Sequence, residues 1–154
     1  MNLRPYNATD LEALVALDEQ CFEPLFRFSH ASMRSFAEAR NACVVLAEVD
    51  AALVGFCILH VELSRRRTVG YLVTLDVAAA HRRNGIATSL LRAVEALAIA
   101  DGCTSIQLHV HTANAAARAF YQRLGFVTVD EVPDFYAPSI DAVAMRRVLA
   151  DAGS

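Results

Sequence analysis

The sequence predicts an α/β domain on a mixed sheet, and three stretches carry that reading. Thr68 to Val77 is apolar and β-branched, and after a short polar turn a helical pattern begins near Gly85, giving strand, loop and helix in succession. Ser105 to Val110 alternates, with Ile106, Leu108 and Val110 on one face and Gln107, His109 and His111 on the other. Because this strand follows a crossover helix, it is expected to run parallel to the strand ending at Val77. Upstream, the β-rich runs Ala42 to Val49 and Leu53 to Leu63 flank Asp50-Ala51-Ala52 and complete an antiparallel meander with Thr68 to Val77.

The remaining elements follow the same rules. Asn2 to Tyr6 is a short strand, and Thr9 offers a cap for a helix whose stripe is Leu11, Leu14, Val15 and Leu17, ending near Cys21. Phe22 to Phe28 is rich in aromatic rings and interrupted by Pro24, before Ser29 or Ser32 caps a second helix through about Ala39. Its phenylalanines either plug the core or line a pocket. Ile86, Leu90, Leu91, Val94, Leu97 and Ala98 recur at helical spacing until Asp101-Gly102. Thr112-Ala113-Asn114 opens a fourth helix, Ala115 to Leu124, which Gly125 ends. Phe126 to Val132 and Ile140 to Val148 are closing strands around a loop from Pro133 to Ser139. The expectation is one domain over 1–149, a sheet of about six to seven strands flanked by four helices, and a tail at 150–154.

Composition narrows the function classes. The chain has 154 residues, 55% of them hydrophobic and 20% charged, with net charge -3, which suits a globular domain with a core of its own. Nothing in that balance favours nucleic acid or a membrane, and the basic run Ser64-Arg65-Arg66-Arg67 reads as a hairpin tip. Cys21, Cys43, Cys57 and Cys103 are widely spaced in apolar surroundings, without metal-ligand spacing, so they read as reduced core thiols with no metal site. The absence of an apolar signal core or spanning run predicts a cytoplasmic protein.

The segment between strand and helix carries chemistry. Arg82, Arg83, Asn84, Gly85, Ile86, Ala87 and Thr88 bring two guanidinium groups and small residues to a helix start, whose first amides lack partners and carry partial positive charge. That suits a pyrophosphate. No Gly-Lys-Ser/Thr follows, and Gly-x-Gly-x-x-Gly is absent. The pattern Arg-x-x-Gly-x-Ala, filled by Arg82, Gly85 and Ala87, resembles the signature of the GNAT superfamily of acetyl-CoA-dependent N-acetyltransferases. Asn114 to Phe126 is similar to a second stretch of that family, Asn-x-x-Ala-x-x-x-Tyr-x-x-x-Gly-Phe. The resemblance extends from about Leu3 to Leu149 and is nearest the branch acetylating ribosomal-protein alanines and other protein N-termini.

What the resemblance implies can be carried over residue by residue. The fold would be GNAT-like, with parallel strands 4 and 5 splayed apart. Backbone groups of Leu75, Asp76 and Val77 would pair with the pantetheine arm of acetyl-CoA, the loop from Arg82 to Thr88 would hold its pyrophosphate, and Asn114 would bond its chain. Tyr121 would lie near the thioester sulfur. His109 stands in Leu108-His109-Val110 where ribosomal-protein enzymes carry a Glu base, and Tyr71, opening Tyr71-Leu72-Val73-Thr74-Leu75, would be its partner. Phe22, Glu23, Pro24, Leu25 and Tyr136 would contact the acceptor, with Glu23 a second candidate for the base or a handle on the ammonium group, and with His109 taking the proton directly or through a water held by Tyr71.

The chemistry is consistent with those types. An α-amino group, pKa about 8, must lose a proton before attacking a thioester, and an imidazole near about 6.5 is within reach. No cysteine has a histidine partner in a recognisable motif, so direct attack is expected without an acyl-enzyme. The acceptor is expected to be a peptide or protein N-terminus. The alternatives are a small amine, such as an antibiotic, polyamine or amino acid, or a non-catalytic acyl-CoA sensor. The protein is expected to be a monomer or homodimer.

Overall fold

The structure, a computed structural model, describes residues 1–149, and the tail expected at 150–154 lies outside the described residues. Its strands are β1 (Asn2–Pro5), β2 (Ala42–Val49), β3 (Ala52–Ser64), β4 (Arg67–Val77), β5 (Ser105–His111), β6 (Val127–Ala137) and β7 (Ile140–Val148). The α-helices are α1 (Leu11–Cys21), α2 (His30–Ala37), α3 (Ile86–Ala100) and α4 (Ala115–Arg123). The strands form one seven-stranded sheet in the order β1-β2-β3-β4-β5-β7-β6. This is the mixed α/β sheet the sequence predicts, with its parallel pair between β4 and β5.

Each sheet face is buried by a different helix layer. On one face Leu11, Leu14 and Leu17 of α1 and Met33 and Ala37 of α2 pack on Leu46, Phe56 and Ile58. On the other, Ile86, Leu90, Leu91, Val94 and Ala98 of α3 cover Val45, Cys57, Leu59 and Leu72. Leu14, Met33, Leu90 and Val94 are wholly buried, and removing each from water contributes about 1.5–3 kcal/mol.

The parallel pair is short for an identifiable reason. β4 meets β5 only at Gly70↔Ile106 and Tyr71↔Gln107. The next residues of β4 enter a bulge: Ile58 of β3 is opposite Thr74 while Leu59 is opposite Leu72, leaving Val73 as the extra residue. A bulge bends its strand and increases its twist. β4 thus stays on β3 through Val77 while β5 stays on β7 from Ser105 to His111, and the two strands part.

Two local expectations need correction. Thr9 does not cap α1, whose N-cap position is Asp10 without a side-chain bond; the capping is done by Asn7 on the preceding 3-10 turn, Ala8–Asp10, where the Asn7 side chain accepts from Thr9 N and the Asp10 side chain accepts from Asn7 N. The loop expected from Pro133 to Ser139 is mostly strand, because β6 continues to Ala137 and pairs again at Ala137↔Ile140 after an irregularity. Pro133 is tolerated there because β6 is an edge strand with no partner beyond it. Ser29, one of the two expected caps, accepts from Ser32 N at the start of α2.

Gly55 of β3 sits where α3 lies tightest on the sheet, since a Cβ there would be 3.0 Å from Asp76 O and 3.0 Å from Leu90 Cδ1. Gly55→Ala is expected to lower stability by about 1–3 kcal/mol, read as a lower urea midpoint. An unchanged midpoint would contradict this close seating.

Candidate active site

The parted strands leave a cleft of ≈ 270 Å³ between Leu72, Val73, Thr74 and Leu75 of β4 and Leu108, His109, Val110 and His111 of β5. Beyond Tyr71, β4 has a strand neighbour only on its β3 side. Its other backbone edge is therefore open to an extended ligand, as an added strand would pair. At the C-terminal end of β4, Arg83 and Gly85 adopt positive φ, 65° and 77°, turning the chain into α3. No side chain caps α3, and its first helical bond runs from Ser89 N to Gly85 O at 3.0 Å, so the preceding amides remain available to an anion. Arg83, Asn84 and Gly85 are exposed. Arg82 is turned back, with Nε donating to Val77 O at 3.0 Å, a carbonyl that also accepts from Cys21 Sγ at 3.4 Å.

The far wall of the cleft comes from α4. Asn114 caps that helix through Oδ1, which accepts from Ala117 N at 3.1 Å, and this leaves Nδ2 as a donor on the cleft. Tyr121, one helical turn on from Ala117, also lines the cleft and packs edge-on against Phe120 and Phe126. Burial, with lesser contributions from Cys57, Asp76 and Tyr136, pushes its hydroxyl well above the ordinary tyrosine range. Tyr121 therefore keeps its proton at neutral pH and can offer it as a hydrogen bond.

Across the cleft, Tyr71 Oη and His109 Nδ1 are 2.7 Å apart. Tyr71 stands where the strands last pair, and its pKa is pushed up to about 12, first by burial and then by Tyr136 and Glu62. It therefore keeps its proton and can donate it to Nδ1 when the ring proton of neutral His109 is on Nε2. Burial lowers the pKa of His109 from its ordinary value, outweighing the opposite pull of Asp130, so the imidazole is neutral at physiological pH. Phe135 lies over the ring, stacked at 4.2 Å with 19° between planes.

The aromatic 22–28 segment closes the cleft opposite β5. Phe22, Leu25, Phe26, Arg27 and Phe28 line it together with Tyr136. Of the two uses open to the phenylalanines, lining a pocket is the one all three share, although Phe28 also packs on Phe36 of α2. Phe26 meets Tyr136 edge-on at 4.9 Å and His111 at 5.0 Å, joining this segment to the closing hairpin. Pro24 and Glu23 form an exposed rim: Glu23 precedes the 3-10 turn Pro24–Phe26, its side chain makes no cap bond, and neither residue lines the cleft.

His109, Tyr121, Asn114, Leu75, Phe22, Leu25 and Tyr136 thus line one cavity, and Tyr71 stands behind His109, joined to it through Nδ1. The pyrophosphate-type loop lies at its end, and Glu23 and Pro24 stand outside. Sequence reasoning did not single out Arg27, Thr74 or His111 for the site. The strict alternation of β5 placed His111 on the His109 face and was the available signal for it. Nothing local marked Phe135 as the ring over His109.

A splayed parallel pair with an open backbone edge, an uncapped helix start at the end of the same strand and a Tyr-His contact where the strands part define a domain able to take an extended, anionic ligand along one strand. Residues 11–126 match the acetyltransferase (GNAT) family, and the chain belongs to that family, whose acetyl donor is acetyl-CoA. The N-alpha-acetyltransferase daf-31 of Caenorhabditis elegans is 36% identical over 97% of this chain and 84% of its own. Arabidopsis thaliana Naa50, solved with the bisubstrate analogue CoA-Ac-MVNAL, is 26% identical with TM-score 0.81, covering 96% of this chain and 98% of that one. The ribosomal-protein-S18-alanine N-acetyltransferase of Escherichia coli superposes with TM-score 0.86 at 22% identity, over 99% and 96% of the two chains. No helix among the described residues is long and apolar enough to cross a membrane.

The stacked ring gives a direct test of what lowers the proton affinity of His109. Phe135→Ala is expected to admit water and return the imidazole pKa towards its ordinary value of about 6.5, an upward shift measurable by NMR titration of the ring protons. A titration midpoint unchanged from the parent would show that other walls desolvate the ring.

Proposed function

We propose that this acetyltransferase acts on the α-amino group of a peptide or protein N-terminus, from the cytoplasm. The observation that carries the reading is the Tyr71 Oη to His109 Nδ1 contact of 2.7 Å inside the parted strands. The donor lies along the open edge of Leu75, Asp76 and Val77, with its pyrophosphate at Arg83 to Thr88 and Arg82 beside it. Asn114 Nδ2 bonds the pantetheine arm, and the acceptor enters between 22–28 and the hairpin bearing Tyr136.

In this scheme the amine approaches as the ammonium and gives a proton to Tyr71 Oη while Tyr71 passes its own to His109 Nδ1. The neutral amine then attacks the thioester carbonyl, the carbon–sulfur bond breaks with Tyr121 donating a hydrogen bond to the departing sulfur, and the second proton shed by the nitrogen passes to the thiolate, directly or through solvent, giving the amide and the free thiol. Complete proton transfer from Tyr121 is unnecessary, because a thiolate, pKa about 8.5, is a weaker base than the tyrosinate it would create. The step is direct, without an acyl-enzyme.

The proton inventory favours an α-amine over side-chain amines. Moving a proton from an α-ammonium, pKa about 8, to an imidazole at or below about 6.5 is uphill by at least 1.5 units, or about 2 kcal/mol. From a lysine-type ammonium, pKa about 10.4, the gap is near 4 units, or about 5 kcal/mol. The same base thus serves the first substrate far better than the second.

The decisive assay offers acetyl-CoA with a panel of N-terminal peptides, polyamines, amino acids and aminoglycosides, and follows acetylated product by mass. Peptide α-amines are expected to turn over best; preferential acetylation of polyamines would overturn the assignment. Tyr121→Phe is expected to lower kcat by about 10²-fold while acetyl-CoA binding by calorimetry changes little. His109→Ala is expected to lose most activity near neutral pH and regain part of it at alkaline pH, where the amine deprotonates unaided; an equal loss at every pH would assign His109 a positional role.

A further inference from the structure

Below the cleft floor, two carboxylates meet where charge is ordinarily excluded. Asp18 of α1 is 0% exposed and Asp76 of β4 is 1% exposed. Asp18 Oδ2 accepts the Phe28 backbone N–H at 2.8 Å, and Asp76 Oδ1 accepts the Thr74 hydroxyl at 2.5 Å. The other two oxygens, Asp18 Oδ1 and Asp76 Oδ2, are buried without a hydrogen-bond donor among the described residues. Two adjacent ionised carboxylates in such a place would repel, and each orphan oxygen would carry its full desolvation cost. A single proton held between them removes one charge and supplies the missing donor.

The two ends of this chain of bonds are the informative part. Phe28 and Thr74 both line the cleft, on the 22–28 segment and on β4 respectively. We propose that Asp18 and Asp76 hold one proton between them and so latch the 22–28 segment onto β4, making Asp18 a positioning residue that registers the acceptor wall against the donor strand. The proposal rests on the reading of 22–28 as the acceptor wall. It goes beyond that reading in assigning the wall a buried, titratable anchor.

The surroundings set the sign of its pH dependence. Burial and Asp18 raise the pKa of Asp76 well above the ordinary carboxyl value, while the Thr74 bond and Arg82, in the loop after β4, pull it down without prevailing. Cys21 at the end of α1, Cys57 on β3 and Tyr121 on α4 also lie within its electrostatic reach, and none of their shifts brings a charge at neutral pH. The folded protein therefore holds a proton that the unfolded chain releases near about pH 4. The stabilising latch is complete below that pH and is lost as pH rises through the raised pKa of Asp76 in the folded protein.

Two substitutions at Asp18, with one measurement on the parent protein, test the proposal. In Asp18→Asn the amide oxygen accepts from Phe28 N and the amide nitrogen donates to an ionised Asp76, so the latch persists without a shared proton. Asp18→Ala removes the acceptor for Phe28. Asp18→Ala is expected to raise the KM for the acceptor peptide about tenfold with kcat and calorimetric CoA affinity changed less than about twofold, and Asp18→Asn to restore the parent KM. Hydrogen exchange of the Phe28 amide in the parent is expected to accelerate beyond the intrinsic base-catalysed slope as pH rises through the raised pKa of Asp76, and in Asp18→Asn to follow that slope. The proposal is overturned if Asp18→Asn is as damaging as Asp18→Ala, if Asp18→Ala leaves the acceptor KM unchanged, or if Phe28 in the parent follows the intrinsic slope. Should Asp18→Ala fail to fold, the exchange comparison between parent and Asp18→Asn decides. Failure of the parent to bind CoA would instead sink the enzymatic reading and leave the exchange test valid.

Discussion

The parting of β4 and β5 after Tyr71 is the constraint on which the rest of the molecule depends. A parallel pair that continued would satisfy the backbone of both strands and leave nothing to bind. The bulge at Val73 keeps β4 on β3 while β5 follows β7, so one backbone edge of β4 faces a cavity and not a neighbour. Unpaired backbone groups are costly only where nothing can bond them. Here they face an opening that an amide-rich ligand can enter, and Gly85 places uncapped helix amides of α3 at the end of the same path.

The second consequence of the gap is electrostatic. The groups with chemistry in it, Tyr71, Tyr121 and His109, are each shifted by burial towards their neutral forms. A site of this kind resists holding a charge before reaction and exposes neutral donors and acceptors that need little reorganisation when charge develops. Phe135 serves the same end by covering the imidazole face. The cleft selects protonation states by walls, and the pull of Asp130 on His109 in the opposite direction is insufficient to reverse that trend.

Much of this was legible in the sequence because the signals were local. Helical spacing in Ile86 to Ala98, alternation in Ser105 to Val110 and the crossover rule together imposed the parallel pair, and family resemblance attached Tyr71 and His109 to its mouth. What escaped was non-local or conditional. The irregular pairing of β6 with β7 continues strand through Pro133, a residue that in isolation argues for a loop. Phe135 meets His109 only because that hairpin folds back over β5. Asp18 looks like one more polar residue on an amphipathic helix, and Asp76 like a strand terminus; only the packing of α1 on β4 brings two carboxylates to one dry spot.

Charge at the cleft bears on the acceptor as well. Of the residues lining it, none is Asp or Glu, and Arg27 is the one permanently charged side chain. Its Nε is occupied by Phe22 O at 2.8 Å, which holds the guanidinium on the 22–28 segment. A polyamine or aminoglycoside would bring several ammonium groups into a wall with no carboxylate to receive them and one cation to repel them. A peptide N-terminus, the acceptor proposed above, would bring a single ammonium, give up its proton at the Tyr71-His109 pair before attack, and trail neutral amides that the remaining polar rim could bond. Wall charge and proton affinity are independent properties of the cleft, and both favour an acceptor whose only cationic group is the one that reacts.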